Sequence, residues 1–268
     1  MTEKCSNRAV AAFTIAVAVM VGLGCGAGVE TEAPVPEVTG PSAIEMAVAH
    51  EGRSEADLAR DVTSKPAEVL AFFGLEPGMT VIDLFGGGGY YSELASYVVG
   101  PEGKVTLHDN QAYLPFVGEE LEQRFADGRL SDIERIVTEA DDLQLPEASA
   151  DMVLMIMSYH DLYFVDEESW PVIDRELFWK HVFAALKPGG ILAVVDHVAE
   201  AGTGSGAVQE LHRIDKDFAK ADIEAAGFVF EAESDALRNP DDDHSLSVFD
   251  PQIRRQTDRF IYRFRKPE

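Results

Sequence analysis

The 268-residue chain is 46% hydrophobic and carries 48 Asp and Glu against 22 Lys and Arg, a formal charge of −26. That length and apolar content suit one main domain with a sizeable core rather than two large ones. The acidity repels polyanions, which disfavours nucleic acid as a partner and otherwise describes a solvated surface.

Read from the start, Lys4 and Arg8 precede an apolar run from Ala9 to Leu23 that small residues follow. This charge-then-apolar layout predicts a secretory signal over residues 1–24. The run is shorter than the ~20 apolar residues a spanning helix needs, so cleavage is favoured over a retained anchor. Val21-Gly22-Leu23-Gly24-Cys25 resembles the lipobox of bacterial lipoproteins, with its leucine one position too close to the cysteine. The expected location is therefore outside the cytoplasm of a bacterium, periplasmic or tied to the membrane by a lipid on Cys25. Cys5 and Cys25 are the only cysteines, so no disulfide can staple the folded domain. Gly, Pro and Glu dominate residues 26–40, which predicts a flexible tether over 25–45 and a folded domain over 46–268.

From residue 54 the pattern becomes regular. Ser54 and Asp57 have capping-box spacing, Pro66 suits a first helical turn and Gly74 a helix stop. Val81–Phe85 is short and almost wholly apolar, as a strand buried on both faces should be. Val105–Leu107, Ile133–Val137, Met152–Met157 and Ile191–Val195 read as further strands, separated by helical stretches. The clearest of these has Val117, Leu121 and Phe125 on one face and Gly128 as its stop. After a last helix around Phe218–Ala226, Phe228–Ala232 and Arg259–Arg265 can form a closing antiparallel pair. Alternating strands and helices imply a doubly wound, mostly parallel sheet with helices on both faces and ligands at the carboxyl ends of the strands.

Chemistry concentrates at Asp83-Leu84-Phe85-Gly86-Gly87-Gly88-Gly89-Tyr90, a glycine run between a buried strand and a helix. Glycine lets backbone turn sharply and approach a ligand, and four in a row cost entropy that a plain turn does not require. A dinucleotide G-x-G-x-x-G fits poorly, because its third glycine would fall on Tyr91 or Ser92. The segment instead resembles motif I of the class I S-adenosylmethionine-dependent methyltransferases, D/E-x-G-x-G-x-G, with Asp83 as the acid and Phe85 in place of the first glycine. Gly103–Asp109 resembles that family's second strand, Glu139–Pro146 its adenine-contacting stretch, and Leu186-Lys187-Pro188-Gly189-Gly190 its turn into the fifth strand.

The resemblance covers roughly residues 62–266 and implies a seven-stranded Rossmann-like methyltransferase fold with S-adenosylmethionine as cofactor. It implies cofactor contacts at Asp83, Gly86, Gly87 and Gly89, ribose binding by Asp109, and adenine contacts by Glu139, Ala140 and Asp141. Leu211–Asp215, Leu237–Pro240 and Phe249–Pro251 resemble a narrower bacterial group of predicted methyltransferases, many with signal sequences and without an assigned substrate.

Methyl transfer to a small-molecule acceptor is thus the leading expectation. An exported binding protein that keeps the nucleotide pocket without turnover is the alternative, since the charged cofactor does not cross a bilayer unaided. On the acceptor side, His160-Asp161 and Asp196-His197 follow adjacent strands. His160 with Asp161 forms the candidate catalytic pair, His160 as base, and Asp161, Asp196 and His197 form the candidate set for a divalent metal. Polar loop residues bonded to backbone are the plain reading of the same residues.

Overall fold

The computed structural model describes residues 40–268, and the expected signal segment, Cys25 and most of the tether lie outside them. The apolar runs become β1 (Thr80–Leu84), β2 (Lys104–Asp109), β3 (Ile133–Val137), β4 (Ala150–Ile156) and β5 (Leu186–His197). With β6 (Val229–Ser234) and β7 (Arg259–Arg265) they form one seven-stranded sheet in the order β3-β2-β1-β4-β5-β7-β6. β1 to β5 are parallel, and β7 runs antiparallel to both β5 and β6. The expected doubly wound sheet and its closing antiparallel pair are both present.

Strand residues alternate between two cores, one on each face. Ile82, Leu84, Val153, Met155, Leu192 and Val194 enter one. Val81, Met152, Leu154, Ile191, Ala193 and Val195 enter the other. Burial on both faces is why these strands read as unbroken apolar runs. β2 is longer than its apolar part, because His108 and Asp109 continue its pairing with β1 and β3. β5 begins earlier than expected: Leu186 pairs with Ala150, and the Lys187–Gly190 turn is an irregularity within the strand.

The helices are α1 (Ala43–Val48), α2 (Glu55–Ser64), α3 (Pro66–Phe73), α4 (Tyr90–Val99), α5 (Leu114–Arg124), α6 (Arg175–Ala185), α7 (Val208–Leu211) and α8 (Lys216–Ala225). Ser42 caps α1 in a full capping box, so helix begins three residues before the expected domain start. Ser54 caps α2 through the Asp57 amide, but the Asp57 carboxylate turns to Arg124 of α5, at 2.7 Å. Arg124 also meets Glu93 of α4 and Glu120, which ties three helices together beside the end of β1. No helix among the described residues is long and apolar enough to cross a membrane.

The chain between β6 and β7 is irregular and is held by a buried cation that sits between α7 and α8. Arg213 is 0% exposed. It donates to Val198 O at 2.9 Å and Leu246 O at 2.8 Å and pairs with Asp242 at 2.9 Å. Removing one partner of a buried pair leaves the other charge stranded, at a cost of about 3–5 kcal/mol. Arg213→Ala is expected to lower the melting temperature by roughly 10 °C. A calorimetric melt within two degrees of the parent's would show that this pair does not hold the segment.

Candidate active site at the carboxyl edge of the sheet

The order β2-β1-β4 places a crevice outside the carboxyl ends of these strands, where chain connections diverge to either side. The Gly86–Gly89 loop leaves β1 there and enters α4. Gly87 and Gly89 have φ of +59° and +81°, a region that a Cβ disfavours. Gly86 has an internal cause, whereas Gly88 faces only the movable end of Glu120. A Cβ on Gly86 would stand 2.8 Å from Asp83 Oδ2, and one on Gly88 would collide with the Glu120 carboxylate. Asp83 is buried, accepts from Ser92 Oγ at 2.7 Å and thereby secures the first turns of α4. It fixes the loop's shape from beneath.

Asp109 ends β2 beside this loop. Its Oδ1 accepts from the Gly87 amide at 2.9 Å, while its Oδ2 is buried without a partner. Its neighbour His108 donates from Nε2 to Thr138 O, at 3.1 Å, which leaves Nδ1 as a bare buried acceptor. Burial holds this imidazole neutral by pushing its pKa down to about 4. Buried polar atoms that lack partners mark places where donors arrive from outside the fold. Ribose hydroxyls supply such donors, so Asp109 Oδ2 fits the cofactor role. Among the adenine candidates, Glu139 is exposed just past β3, Asp141 is half-buried, and Ala140 is packed in a core.

The crevice over Asp109 is roofed. Phe85 occupies the first-glycine position with φ of +51° and stacks its ring on Tyr113, with centroids 5.5 Å apart. Val117 of α5 comes within 3.6 Å of the Cβ position of Gly87. Arg124 donates from Nε to Gly88 O. Asp109 is consequently 1% exposed.

On the other side of the roof lies a cavity of about 640 Å³, which Tyr113 and Val117 also line. Phe116, Phe164, Trp170 and Phe249 give it aromatic walls, and Met157, His160, Asp161, His197 and His212 contribute its polarisable and polar surface. His160 and Asp161 sit on a short helical turn after β4. Asp196, at the end of β5 and 0% exposed, accepts from the His160 amide at 2.7 Å and from His160 Nδ1 at 2.8 Å. Burial alone would lower the His160 pKa, but the carboxylates of Asp196 and Asp161 outweigh it and raise the pKa to about 9. A charged imidazole of this kind does not accept a proton at neutral pH, which counts against His160 as a simple base. Asp161 Oδ1 lies 3.3 Å from His160 Nε2, and its Oδ2 accepts from Tyr113 Oη.

Of the expected metal set, Asp161 and His197 line the cavity, and only Asp161 has a ligand atom grouped with those of other candidate ligands. Asp196 spends its oxygens on His160 and on the His197 amide, at 2.7 Å. His197 Nδ1 is 2.6 Å from Thr257 Oγ1. The structure instead brings His212 to the cavity, with Nδ1 4.0 Å from Asp161 Oδ1. His212 and Phe249 fall in tail stretches that the narrower resemblance picks out, but nothing in the sequence places them or Tyr113 at the cavity, because each reaches it by tertiary packing. Arg238 and Asn239 lie elsewhere, bound to Asp258.

The buried carboxylate gives a pH signature. Burial, with the Asp83 charge nearby, raises the Asp109 pKa to about 7, well above its value in an unfolded chain. A raised folded-state pKa gives stability that is complete below about pH 4 and is lost as pH rises through about 7. Asp109→Asn removes this dependence. The melting temperature of the variant minus that of the parent should grow by roughly 5 °C between about pH 5 and about pH 8. Parallel curves over that range would contradict a buried, raised carboxylate.

Comparison with known proteins agrees with this geometry. A family model described as a methyltransferase domain matches residues 83–194, from the motif acid into β5. The ubiquinone/menaquinone biosynthesis C-methyltransferase UbiE of Shewanella woodyi is 29% identical over 124 residues, 46% of this chain and 44% of that one. The chain thus matches less than half the length of such relatives. A SAM-dependent methyltransferase from Aquifex aeolicus shares the fold with a TM-score of 0.53 at 20% identity, over 79% of this chain and 93% of that one. The cyclase SpnF shares it with a TM-score of 0.54 at 17% identity, over 85% and 97%. Since a protein named as a cyclase has the same fold, the fold alone does not fix a reaction. The matched segment, the seven-stranded order and the glycine loop facing a strand-end acid together make the chain similar to the class I S-adenosylmethionine-dependent methyltransferases, with their fold and a methyltransferase-domain match over residues 83–194.

Proposed function

We propose that the protein transfers a methyl group from S-adenosylmethionine to a small, planar, oxygen-bearing acceptor held in the aromatic cavity. The observation that carries this reading is the shared wall: Tyr113 and Val117 cover the glycine loop and also line the cavity. Cofactor residues and acceptor pocket are therefore neighbours across one short segment. The curated relatives, named as C-methyltransferases of ubiquinone and menaquinone biosynthesis, support a ring-bearing acceptor.

Asp109 Oδ2 suits the ribose hydroxyls, Gly87 and Gly89 permit close backbone approach, and Glu139 or Asp141 offers an acceptor to the adenine amine. When bound, S-adenosylmethionine supplies an electrophilic methyl group on a sulfonium. The chain's own part is to orient and to exclude water. Phe164, Trp170 and Phe249 offer aromatic surface to a flat ring, and the His160–Asp161 turn, held by Asp196, faces the acceptor's polar edge. Because Asp109 is 1% exposed, binding displaces the Tyr113–Val117 roof and joins the two compartments.

The −26 charge supports an acceptor other than nucleic acid. The closed roof supports a second reading, a binding protein without turnover. Calorimetry with S-adenosylhomocysteine, paired with a labelled-methyl assay on hydroxylated aromatic compounds, separates the two. Binding should weaken at least tenfold in Asp109→Ala, which loses charge-assisted hydrogen bonds of about 1.5–3 kcal/mol. Binding with no transfer to any acceptor favours the second reading, and no binding of either adenosyl compound rejects both.

A further inference from the structure

We propose that His160 Nε2, Asp161 Oδ1 and His212 Nδ1 form a binding site for one divalent first-row transition metal, open to the 640 Å³ cavity. The three residues come from two separate segments, the turn after β4 and the end of α7. Their candidate ligand atoms all lie within 4.8 Å of one another. Two ligands about 2.1 Å from a common centre can be at most about 4.2 Å apart. The separations of 3.3 Å from His160 Nε2 to Asp161 Oδ1 and 4.0 Å from Asp161 Oδ1 to His212 Nδ1 satisfy that limit as they stand.

The groups behind these atoms are already in place. Asp196 binds Nδ1 of His160 at 2.8 Å, which turns Nε2 toward the cavity. Tyr113 Oη occupies Asp161 Oδ2 and leaves Oδ1 free for the site. A carboxylate behind a histidine and a hydroxyl behind a carboxylate are the supports that orient metal ligands. His212 is positioned from its other side. Arg213, buried and fixed by Val198 O, Leu246 O and Asp242, anchors the chain immediately after it. Phe164 and Phe249 contact its ring, with centroids at 4.6 and 4.8 Å. Its backbone is left-handed, at φ +52°, and that bend swings the imidazole back toward Asp161.

Two imidazoles and one carboxylate, with the ion displacing the proton on His160 Nε2, suit Mn, Fe, Co, Ni or Zn as divalent ions, and suit Mg or Ca poorly because these prefer oxygen ligands. Three protein ligands leave coordination positions free, and the three residues share one cavity with the aromatic walls. A planar ligand with an oxygen donor can complete the sphere and have that oxygen's pKa lowered. This last step rests on the methyl-transfer reading; the metal site itself does not, and it can be measured without any adenosyl compound.

The test is titration of the chelator-stripped full-length chain with Zn²⁺ by calorimetry and with Co²⁺ by visible absorption. About one ion per chain should bind saturably, and Co²⁺ should develop ligand-field bands of a nitrogen- and oxygen-bound ion. Asp161→Asn and His212→Asn should each weaken binding at least tenfold, whereas His50→Ala, at an exposed remote histidine, should not. Asn tolerates the left-handed backbone at position 212, so that variant retains its fold, which circular dichroism verifies. Absence of saturable binding by either ion, or parent-like affinity in folded His212→Asn, would overturn the site.

Discussion

The constraint on which this structure depends is the burial of ionisable side chains along one edge of the sheet. Asp83, His108, Asp109, His160, Asp161, Asp196 and His197 all end or follow β1, β2, β4 and β5, and none is more than 8% exposed. Such groups are costly in a core unless each polar atom has a partner. Most have one within the chain: Asp83 takes Ser92, Asp196 takes His160 and His197, and His197 takes Thr257. The exceptions are what give the edge its chemistry. Asp109 Oδ2 and His108 Nδ1 have none, and the His160–Asp161–His212 atoms face a cavity rather than the core.

The glycine loop shows how the remaining structure serves that edge. Three of the four glycines have a physical cause within the chain: close approach of Asp83 at Gly86, and left-handed backbone at Gly87 and Gly89. Arg124 clamps the loop through Gly88 O and is itself held by Asp57, Glu93 and Glu120. The helices before β1 therefore contribute more than packing: α2 supplies one of the carboxylates that fix α5 over the cofactor crevice. A segment held at its far end by ion pairs and at its near end by Tyr113, through its stack on Phe85 and its bond to Asp161, can move at the near end while the clamp persists.

Much of this was legible in the sequence, for identifiable reasons. Burial on both faces leaves unbroken apolar runs, so β1, β4 and β5 were visible. The glycine loop and Asp109 were visible because a ligand loop and its facing acid sit at fixed distances along one βαβ unit. Asp57 misled in part, because spacing reveals a capping box but not a competing arginine 67 residues away in sequence. The acceptor side was harder. Asp196 and His197 are adjacent in sequence, but successive residues on a strand point to opposite faces, so adjacency there does not make a ligand pair. His212 was out of reach, since its position depends on Arg213 finding Asp242 across an irregular segment. Phe85 was recognised as a departure from the family's glycine, but its role as a platform for Tyr113 emerges only from packing.

A closed crevice beside a formed cavity makes the account's central claim a statement about movement: the cofactor enters at Asp109 and lifts Tyr113–Val117. Hydrogen exchange of the full-length chain, with and without S-adenosylhomocysteine, measures this most directly. The account predicts slower exchange at the Gly86–Gly89 amides and at Asp109, together with altered exchange confined to the segment from Asn110 to Val117. Saturating ligand that leaves the glycine loop unchanged, or that protects only a distant surface, would contradict it.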